Sequence, residues 1–472
     1  MRDSSQHSPR HRVLPSIVLA LALAAISLPA RAATRSAQIL DVGWRRDGPA
    51  AQVTLRLSGP VRYRTAVTAD VVRVDLWTVT GDADRVLSIQ HGVASHVTVR
   101  RLTPEIVRVG ISLRDTARFR VYTATDRLTV SVFPREMGTV PVPQTVSHQI
   151  LRVPTATGRA RVHVVTIDPR AGSVVVRPAL GGAVVAAVET TSVTATRLSA
   201  VAAINGTYYS QAGLPLGLLV IDGTVLSTPL PRRPVFAVHS DGRPWIGQAE
   251  VSGRLVTATG RQIPISAVNR PPRSGGLAVY TPEFGPLTFT QSRIALVAGE
   301  RIVAFTSGRP AIPADGYALA AAEFQQDLLA GLAVGDEVVL DLTVSPPGIQ
   351  HAIQGGPLLV RDGQVFIPYD WEGFTTGFFR IRTARSAIGI TSAGKVLFVA
   401  ADARSRQNSG MNLPELAELM RSLGAQHAMN LDGGGSSTLV VGGRVVTAVP
   451  RGGERRVSSM VVALPRQVSP ER

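Results

Sequence analysis

The chain has 472 residues, no cysteine and a net charge of +17, from 50 Lys and Arg against 33 Asp and Glu. The length predicts two or three domains rather than one core, and the missing thiols exclude cysteine nucleophiles, thiolate metal sites and disulfides. The arginines are scattered rather than clustered, so we expect no nucleic-acid partner and regard an anionic envelope polymer as the better fit.

The N-terminal segment, residues 1–32, has the three parts of a secretory signal. A basic start containing Arg2 precedes an uncharged apolar run at 13–28, and Ala30 and Ala32 supply the small residues of a cleavage site. The run is short for a spanning helix of about 20 residues, which makes a membrane anchor the weaker alternative. We therefore expect the segment to be removed, no membrane span to remain, and the protein to reach the periplasm or cell envelope.

Residues 36–134 alternate between apolar and polar residues in short segments bounded by turn formers, which predicts a small β-sandwich. The six strands that we predict run over residues 52–57, 71–76, 97–101, 106–113, 119–122 and 128–132. Two strings, VVRVDLWTV and HVTVRRLTPEIVRVGISL, resemble the AMIN domains of exported envelope proteins. The resemblance implies a module that binds peptidoglycan or another wall component.

Residues 135–149, with two prolines and polar neighbours, are typical of a linker, and the second domain is expected at 150–466. Within it, Asp-Gly at 222–223, Asp-Gly at 362–363 and Gly-Gly at 442–443 each follow an apolar strand, so they predict three tight hairpins. The fold class that we expect is α+β: a small N-terminal β-sandwich followed by a larger mixed α/β domain rich in β-hairpins.

One helix is also predicted in the second domain. Asn412 is a good N-cap, Pro414 lies in the first turn, an apolar stripe runs to Leu423, and Gly424 follows. The stripe indicates that the helix covers a sheet. The next strand, predicted at 428–431, delivers Asp432 and a run of glycines.

That glycine run carries the strongest chemical signal, in the string MNLDGGGSST at residues 429–438. Small residues let the main chain approach a ligand closely, and free N–H groups and hydroxyls bind phosphate or sugar oxygens. The alternative is a flexible turn with a capping Asp, and it carries similar weight. The substrate-binding residues that we predict here are Asn430, Gly433, Gly434, Gly435, Ser436 and Ser437, with Asp432 as a catalytic carboxylate.

Other polar residues next to strand ends extend this set. Arg382 and Arg385 offer planar guanidinium groups suited to phosphate, although such a pair is more often solvated surface. Asn205, at the end of an apolar strand, is suited to a sugar hydroxyl, but Asn-Gly alone is usually only a turn. Asp402 and Glu454 are the further carboxylates beside small residues, and each alone is a weak signal.

Taken together, the motifs resemble the phosphodiester glycosidase family over roughly residues 160–464. The strings that carry the resemblance are INGTYY, GLLVIDG, NRPPRSGGLAVYTPEFG, QGGPLLVRDG, RTARSAIG, GMNLPELAELMRSLGA, NLDGGGSST and ERRVSS. The resemblance implies removal of N-acetylglucosamine from a phosphodiester, and a role in exopolysaccharide or wall metabolism. Ala403, Ser386 and the Tyr208-Tyr209 pair depart from the family's usual residues and put the substrate's identity in doubt.

A carboxylate is needed to stabilise an oxocarbenium-like state or to activate water. We expect Asp432 and Asp402 to form the catalytic pair, with Glu454 as the substitute, while Arg385 and the glycine N–H groups hold phosphate. No cofactor is expected. No metal ligand is assigned: a divalent cation near Asp432 is compatible with the sequence, but no ligand spacing demands one.

Two other classes of function stay open. In the first, a non-catalytic envelope protein binds cell-wall glycan or an anionic polymer through the same loop without cleaving it. In the second, a structural or assembly factor anchors to the wall and contacts a partner protein through an exposed apolar patch. Turnover of a sugar phosphodiester separates the enzyme from both.

Overall fold

The computed structural model describes residues 37–466 apart from short gaps at 48–49, 68–70, 78, 82, 92–93, 115–116, 125, 135–139, 273–274, 286, 288–290 and 449–452. The predicted secretory signal lies outside the described residues. Among those described, no helix combines the length and the apolar character needed to cross a membrane.

Alternating residues in the N-terminal region form ten strands, because every second side chain enters a shared core. These strands are β1 Ala37–Asp47, β2 Ala50–Leu57, β3 Arg62–Val67, β4 Val71–Trp77, β5 Val79–Thr80, β6 Arg85–His91, β7 Ala94–Thr103, β8 Ile106–Leu113, β9 Ala117–Thr123 and β10 Arg127–Pro134. They build two five-stranded sheets, in the orders β5-β1-β2-β10-β9 and β3-β4-β8-β7-β6. Buried residues of both sheets, such as Val53 and Val109, belong to one apolar cluster.

All six strands predicted in this region are present, and five of them are longer than predicted. The structure adds β1, β3, β5 and β6, whose sequences are more polar and gave a weaker alternating signal. That the two sheets form a sandwich of the AMIN type stays a prediction.

The next region is also dominated by short strands. They are β11 Val146–Thr155, β12 Gly158–Ile167, β13 Val174–Leu180, β14 Glu189–Thr190, β15 Ala202–Asn205, β16 Leu219–Ile221, β17 Thr224–Ser227, β18 Val235–His239, β19 Pro244–Gly247, β20 Glu250–Thr257, β21 Gln262–Val268, β22 Leu277–Tyr280, β23 Gln291–Ala298, β24 Arg301–Gly308, β25 Gly316–Ala320, β26 Val338–Ser345 and β27 Ile349–Gln354. Strand β11 begins within the predicted linker, and the domain boundaries stay a prediction.

The last strands are β28 Leu358–Arg361, β29 Gln364–Val365, β30 Arg385–Thr391, β31 Val396–Ala401, β32 Ala425–Asn430, β33 Leu439–Val441, β34 Arg444–Val445, β35 Arg456–Val457 and β36 Ser459–Pro465. The helices are α1 Thr191–Arg197, α2 Thr376–Arg380 and α3 Leu413–Ser422, with 3-10 turns at Pro169–Ala171, Pro282–Phe284, Glu323–Leu329 and Gly434–Ser436. The described structure is thus a β-rich α+β fold, less helical than the expected mixed α/β domain.

Two sheets position the candidate site. A seven-stranded sheet has the order β11-β12-β31-β30-β32-β28-β29, and a five-stranded sheet has the order β13-β36-β15-β33-β34. Helix α3 packs on one face of the larger sheet through Leu416 and Met420. On the other face, Phe398 and Met429 share a core with Ile204 and Val461 of the five-stranded sheet. The larger sheet therefore lies between α3 and the smaller one.

Two further sheets complete the second region. Their orders are β17-β16-β27-β18-β19 and β24-β23-β25-β22-β21-β20-β26. The first of them shares buried residues, among them Phe236, with the core between the two site-bearing sheets.

The local signals of the second region are confirmed. The three glycine-containing dipeptides join β16 to β17, β28 to β29 and β33 to β34, with positive φ at both residues of each dipeptide. Asn412 caps α3 by accepting from the Glu415 N–H, and the Glu415 carboxylate accepts from the Asn412 N–H. Helix α3 covers a sheet, as its apolar stripe predicted.

Candidate active site

The glycine loop, defined here as residues 432–437, connects the two site-bearing sheets. It follows the end of β32 in the larger sheet and leads into β33 of the smaller one. In the antiparallel register, Arg385 at the start of β30 pairs with Ala401 at the end of β31, and Ala387 pairs with Asn430. Arg385, Asp402 and Asp432 are therefore delivered to the same edge of one sheet.

Asn205 fixes both ends of this loop from the end of β15. Its side-chain amide donates to the Asp432 carbonyl at 2.6 Å, and its Oδ1 accepts from the Thr438 N–H at 3.1 Å. The Ser386 hydroxyl donates to the same Oδ1 at 2.6 Å. Asn205 is fully buried, so it holds the loop in place from behind.

The Asp432 carboxylate is half-buried on the exposed side of this loop. Burial raises the pKa of the carboxyl above its ordinary value, while the Ser436 hydroxyl, the Gly433 N–H and the charge of Arg455 oppose that rise. The Gly433 N–H donates to Asp432 Oδ1 at 2.9 Å. The carboxylate is thus oriented by its own loop and has an exposed cation nearby.

Arg455 lies along the glycine loop. A Cβ placed on Gly435 would stand 2.8 Å from the guanidinium carbon of Arg455, so the guanidinium lies directly against the main chain of the loop. Gly433, Gly434 and Gly435 are all partly exposed, and the Gly434 N–H donates to the Ala384 carbonyl at 2.8 Å. An exposed guanidinium beside bare main chain is a suitable contact for an anionic ligand.

Asn430 belongs to a second buried layer behind the loop. It is fully buried, and its amide lies 2.9 Å from the Tyr208 hydroxyl and 3.0 Å from the Gly356 carbonyl. Tyr208 also donates to the Gly356 carbonyl, at 2.8 Å. Asn430 therefore supports the Asp432 segment, and the structure gives it no exposed surface with which to bind substrate.

Arg385 occupies a different environment from the one expected. It is fully buried, with its guanidinium 4.9 Å from the centre of the Phe378 ring. It donates to the carbonyls of Phe378, Ile381 and Met411. Burial lowers its pKa to about 10, so the group stays charged near neutral pH. Arg385 therefore fixes the main chain at Phe378, Ile381 and Met411 behind the glycine loop and does not reach an external phosphate.

Asp402 is at the expected sheet edge but is only 5% exposed. Its Oδ1 accepts from the Ala448 N–H at 2.9 Å, and His163 Nε2 lies 3.7 Å from it. Burial opposes ionisation, yet His163, the Ala448 N–H and Arg161 together hold the pKa of Asp402 below its usual range. Its carboxylate is thus an ionised structural group here, and the pairing with Asp432 stays a prediction.

Two more of the predicted residues have structural partners. Arg382 forms a two-pronged ion pair with Glu415, the capping residue of α3, and its side chain is 14% exposed. Glu454 Oε1 accepts from the Ser192 N–H at 2.9 Å, at the start of α1. Burial raises the pKa of Glu454, opposed by contacts with the first turn of α1. These contacts favour structural roles over the substrate-binding and catalytic roles expected of Arg382 and Glu454.

The predicted set thus divides by exposure. Asp432, the three glycines, Arg382 and Glu454 are partly exposed. Fully or almost fully buried are Asn205, Arg385, Asn430 and Ser436, with Asp402 5% and Ser437 6% exposed. Gly356, which accepts hydrogen bonds from two of the supporting side chains, had no predicted role, although its motif QGGPLL was part of the resemblance. In the described ranges, no group of three or more His, Asp or Glu side chains converges as a metal site requires.

Comparison with known proteins gives this site a context. Residues 291–464 match the sequence model of the phosphodiester glycosidase family. The chain is 31% identical over 121 residues to N-acetylglucosamine-1-phosphodiester alpha-N-acetylglucosaminidase of Mus musculus, covering 24% of this chain and 23% of the mouse protein. It is 32% identical over 121 residues to the SPbeta prophage-derived uncharacterized protein YomE of Bacillus subtilis, covering 26% and 18%. The chain thus spans about a quarter or less of these relatives.

The fold has a solved counterpart. The crystal structure of a hypothetical protein from Synechocystis aligns with a TM-score of 0.63 at 24% identity, over 92% of this chain and 81% of that one. This likeness concerns the fold alone. The family match is independent of this likeness. Residues 291–464, which contain Arg385, Asp402 and the whole glycine loop, have the sequence pattern of a phosphodiester glycosidase domain.

Proposed function

We propose that this chain is a hydrolase that cleaves a sugar-1-phosphodiester, with an N-acetylglucosamine-like sugar on the anomeric side. The observation that carries the proposal is the partly exposed Asp432 carboxylate on the glycine loop, with the Arg455 guanidinium beside Gly435. The similarity of residues 291–464 to phosphodiester glycosidases, and of the chain to an N-acetylglucosaminidase, supports the same reaction class.

In this reaction, the bond between the anomeric carbon and the phosphate oxygen breaks, and a water oxygen bonds to that carbon. The phosphate leaves as a monoester and retains the bond's electron pair, so it needs little help from an acid. Asp432 stabilises the positive charge that develops on the sugar and accepts the proton that the attacking water loses. Arg455 and the main chain at Gly435 contact the phosphate, which becomes more negative as the bond breaks. The N–H groups of Gly433 and Gly434, expected from the sequence to bind phosphate, donate instead to Asp432 and to the Ala384 carbonyl.

The buried layer keeps these groups in place. Asn205 fixes the loop ends, Asn430 and Tyr208 hold the Gly356 carbonyl, and Arg385 anchors the segment beneath Gly433. A carboxylate misplaced by about 1 Å loses on the order of 100-fold in rate, so rigid support has a direct catalytic value.

We further propose that the substrate belongs to the cell envelope or to exopolysaccharide. The signal pattern at 1–32 favours export, and the sequence strings of the N-terminal region that resemble AMIN domains favour contact with peptidoglycan. Export is checked by the mature N-terminus determined by mass spectrometry, which should follow Ala32. Wall contact is checked by sedimentation of the full mature chain with purified peptidoglycan.

The reaction is tested with a synthetic methyl phosphodiester of N-acetylglucosamine, by measuring the released sugar and the phosphomonoester together. We expect Asp432→Asn to lower kcat by at least about 100-fold, whereas Asp241→Asn, at an exposed hairpin, retains full activity. A folded Asp432→Asn protein with the wild-type rate would refute the assignment. Binding without turnover across a panel of sugar phosphodiesters would favour the non-catalytic envelope protein.

A further inference from the structure

A cleft of ≈ 260 Å³ is lined by Leu358, Trp371 and Glu372, which follow Gly356 closely in the sequence. Trp371, which lines the cleft, is an exposed aromatic residue, with 48% of its surface accessible. The guanidinium of Arg232, another lining residue, is 5.6 Å from the Trp371 ring centre. An exposed aromatic face held by cation–π contacts is a rigid platform on which a flat, weakly polar ligand can stack.

The remaining lining of the cleft combines apolar residues, such as Ile246 and Pro368, with charged ones. Above about pH 7, where Glu372 is ionised, Arg232 and Arg361 are balanced by Asp362 and Glu372. His427 lies 3.8 Å from Asp362. Such a lining offers donors and acceptors around an apolar floor, which is typical of small-molecule sites. A sugar ring has the matching character, with an apolar face and hydroxyl groups at its edge.

Glu372 forms part of the cleft wall and is only 4% exposed. Its Oε1 accepts from the Leu358 N–H at 3.0 Å, whereas Oε2 has no hydrogen-bond partner within the part of the chain that the structure describes. Oε2 is not open to the cleft: it is buried toward Gly356, where an added Cβ would stand 2.8 Å from it. Glu372 therefore shapes the cleft wall.

The cleft is close to the glycine loop. His427 lies in β32, the strand whose end delivers Asp432, and five peptide units separate the two residues. Their Cα atoms are therefore at most about 18 Å apart. Glu372 also contacts Gly356, the residue whose carbonyl accepts from Tyr208 and lies beside Asn430. A glycan of a few sugar units can span this separation.

We propose that the Trp371 cleft binds one neutral sugar ring of a glycan whose phosphodiester is cleaved at the glycine loop. The inference rests on the proposed function, because it names the substrate as a polymer with sugar units beyond the scissile bond. Trp371 stacks on the apolar face of the ring, and Asp362, His427 and the arginines bind its hydroxyl groups. Above about pH 7 the charged groups of the lining balance, so an acidic sugar is the poorer ligand there, and the titrations are made at about pH 8.

The test is isothermal titration of the full chain with four neutral or acidic tetrasaccharides: chitotetraose, cellotetraose, mannotetraose and tetragalacturonate. At least one neutral tetramer should bind, and Trp371→Ala should weaken that binding at least about 10-fold. Trp371→Phe retains an aromatic platform and should bind within about threefold of wild type. Phe324→Ala, which removes an aromatic ring exposed by 77% elsewhere, is the matched control and should leave binding unchanged.

Three results would overturn the proposal: no neutral tetramer binds, only tetragalacturonate binds, or Trp371→Ala binds as tightly as wild type. Asp432→Asn should retain tetrasaccharide binding, since it does not line the cleft. If this variant binds the tetrasaccharide but the wild-type protein hydrolyses no sugar phosphodiester, the proposed function is refuted and the cleft assignment stands. The two failures are therefore distinguishable.

Discussion

The side-chain amide of Asn205 donates to the main-chain carbonyl of Asp432 at 2.6 Å, across 227 residues of sequence. The same side chain accepts from Thr438 at the far end of the glycine loop. A loop of small residues has many accessible conformations. One buried amide removes that freedom at both ends, so the proposed carboxylate has a defined position.

Asn205→Ala is expected to cost on the order of 3 kcal/mol, because it leaves the Thr438 N–H and the Asp432 carbonyl buried without their partner. Activity should fall at least about 100-fold, since the loop is no longer fixed. The free energy of unfolding and kcat are measured on the same samples. Asn412→Ala, which removes the N-cap of α3, controls for stability and should cost about 1 kcal/mol with little change in kcat. Equal kcat values in the two variants would contradict the role of Asn205.

Arg455→Ala should lower kcat/KM for a sugar phosphodiester roughly 10- to 100-fold, because it removes a charged contact to phosphate. The defect should shrink as salt rises, since an exposed charge is screened. Removing this charge also removes one influence that lowers the pKa of Asp432. The acid limb of the pH–rate profile, which falls as the carboxylate is protonated, should therefore move to higher pH.

The matched control for that experiment is Arg456→Ala, which deletes the adjacent exposed arginine. It should leave both kcat/KM and the acid limb in place. If Arg455→Ala and Arg456→Ala have the same effect, the loss comes from general surface charge and not from the guanidinium beside Gly435.

Glu372 should make stability depend on pH. Burial raises its pKa from 4.5 to about 7. Between these values, the folded protein binds more protons at this group than the unfolded chain does, so its contribution to stability falls as pH rises and is lost above about pH 7. The loss is on the order of 3 kcal/mol. Urea unfolding at about pH 5 and about pH 8 measures it.

Glu372→Gln removes this titration and should flatten the slope, leaving the variant relatively more stable at the higher pH. Glu418→Gln, at an exposed position on α3, should keep the wild-type slope. An unchanged slope in Glu372→Gln would show that this carboxyl does not titrate in the stated window.

Gly356→Ala should disturb both the site and the adjacent cleft. Gly356 has a φ of +127°, and a Cβ there would lie 2.8 Å from Glu372 Oε2 and 3.0 Å from the Phe374 ring. We expect a destabilisation of about 1–3 kcal/mol from strain and crowding. The rate should also fall, because the Gly356 carbonyl accepts from Tyr208. Thermal unfolding and kcat give the two readouts.

Gly373→Ala is the control that separates crowding from backbone strain. Gly373 also has a positive φ, +80°, but no atom lies within 4 Å of the position of its Cβ. It should therefore show only the conformational cost and retain kcat. A similar loss of kcat in both variants would show that crowding at Gly356 does not act on the site through the Tyr208 hydrogen bond.

The predictions that were confirmed concern turns and a helix cap, which depend on residues close together in the sequence. Asp222-Gly223 and Gly442-Gly443 each formed the expected hairpin, because positive φ at two adjacent residues is a property of the turn itself. Asn412 and Glu415 formed a capping box for the same reason. Strand β6 and the ends of β7 were missed although both strands pair with their sequence neighbours, because their polar residues gave a weak alternating signal.

The sequence by itself determined the three predicted hairpin turns, helix α3, six of the ten N-terminal strands, the glycine loop and the resemblance to phosphodiester glycosidases. Only the tertiary structure decided which polar residues of those motifs face outward. Asn, Arg and Ser suit a buried hydrogen-bond network as well as they suit a bound sugar or phosphate. Burial is set by strands distant in the sequence, and it placed Arg385 and Asn430 behind the loop while leaving Asp432 on its open side.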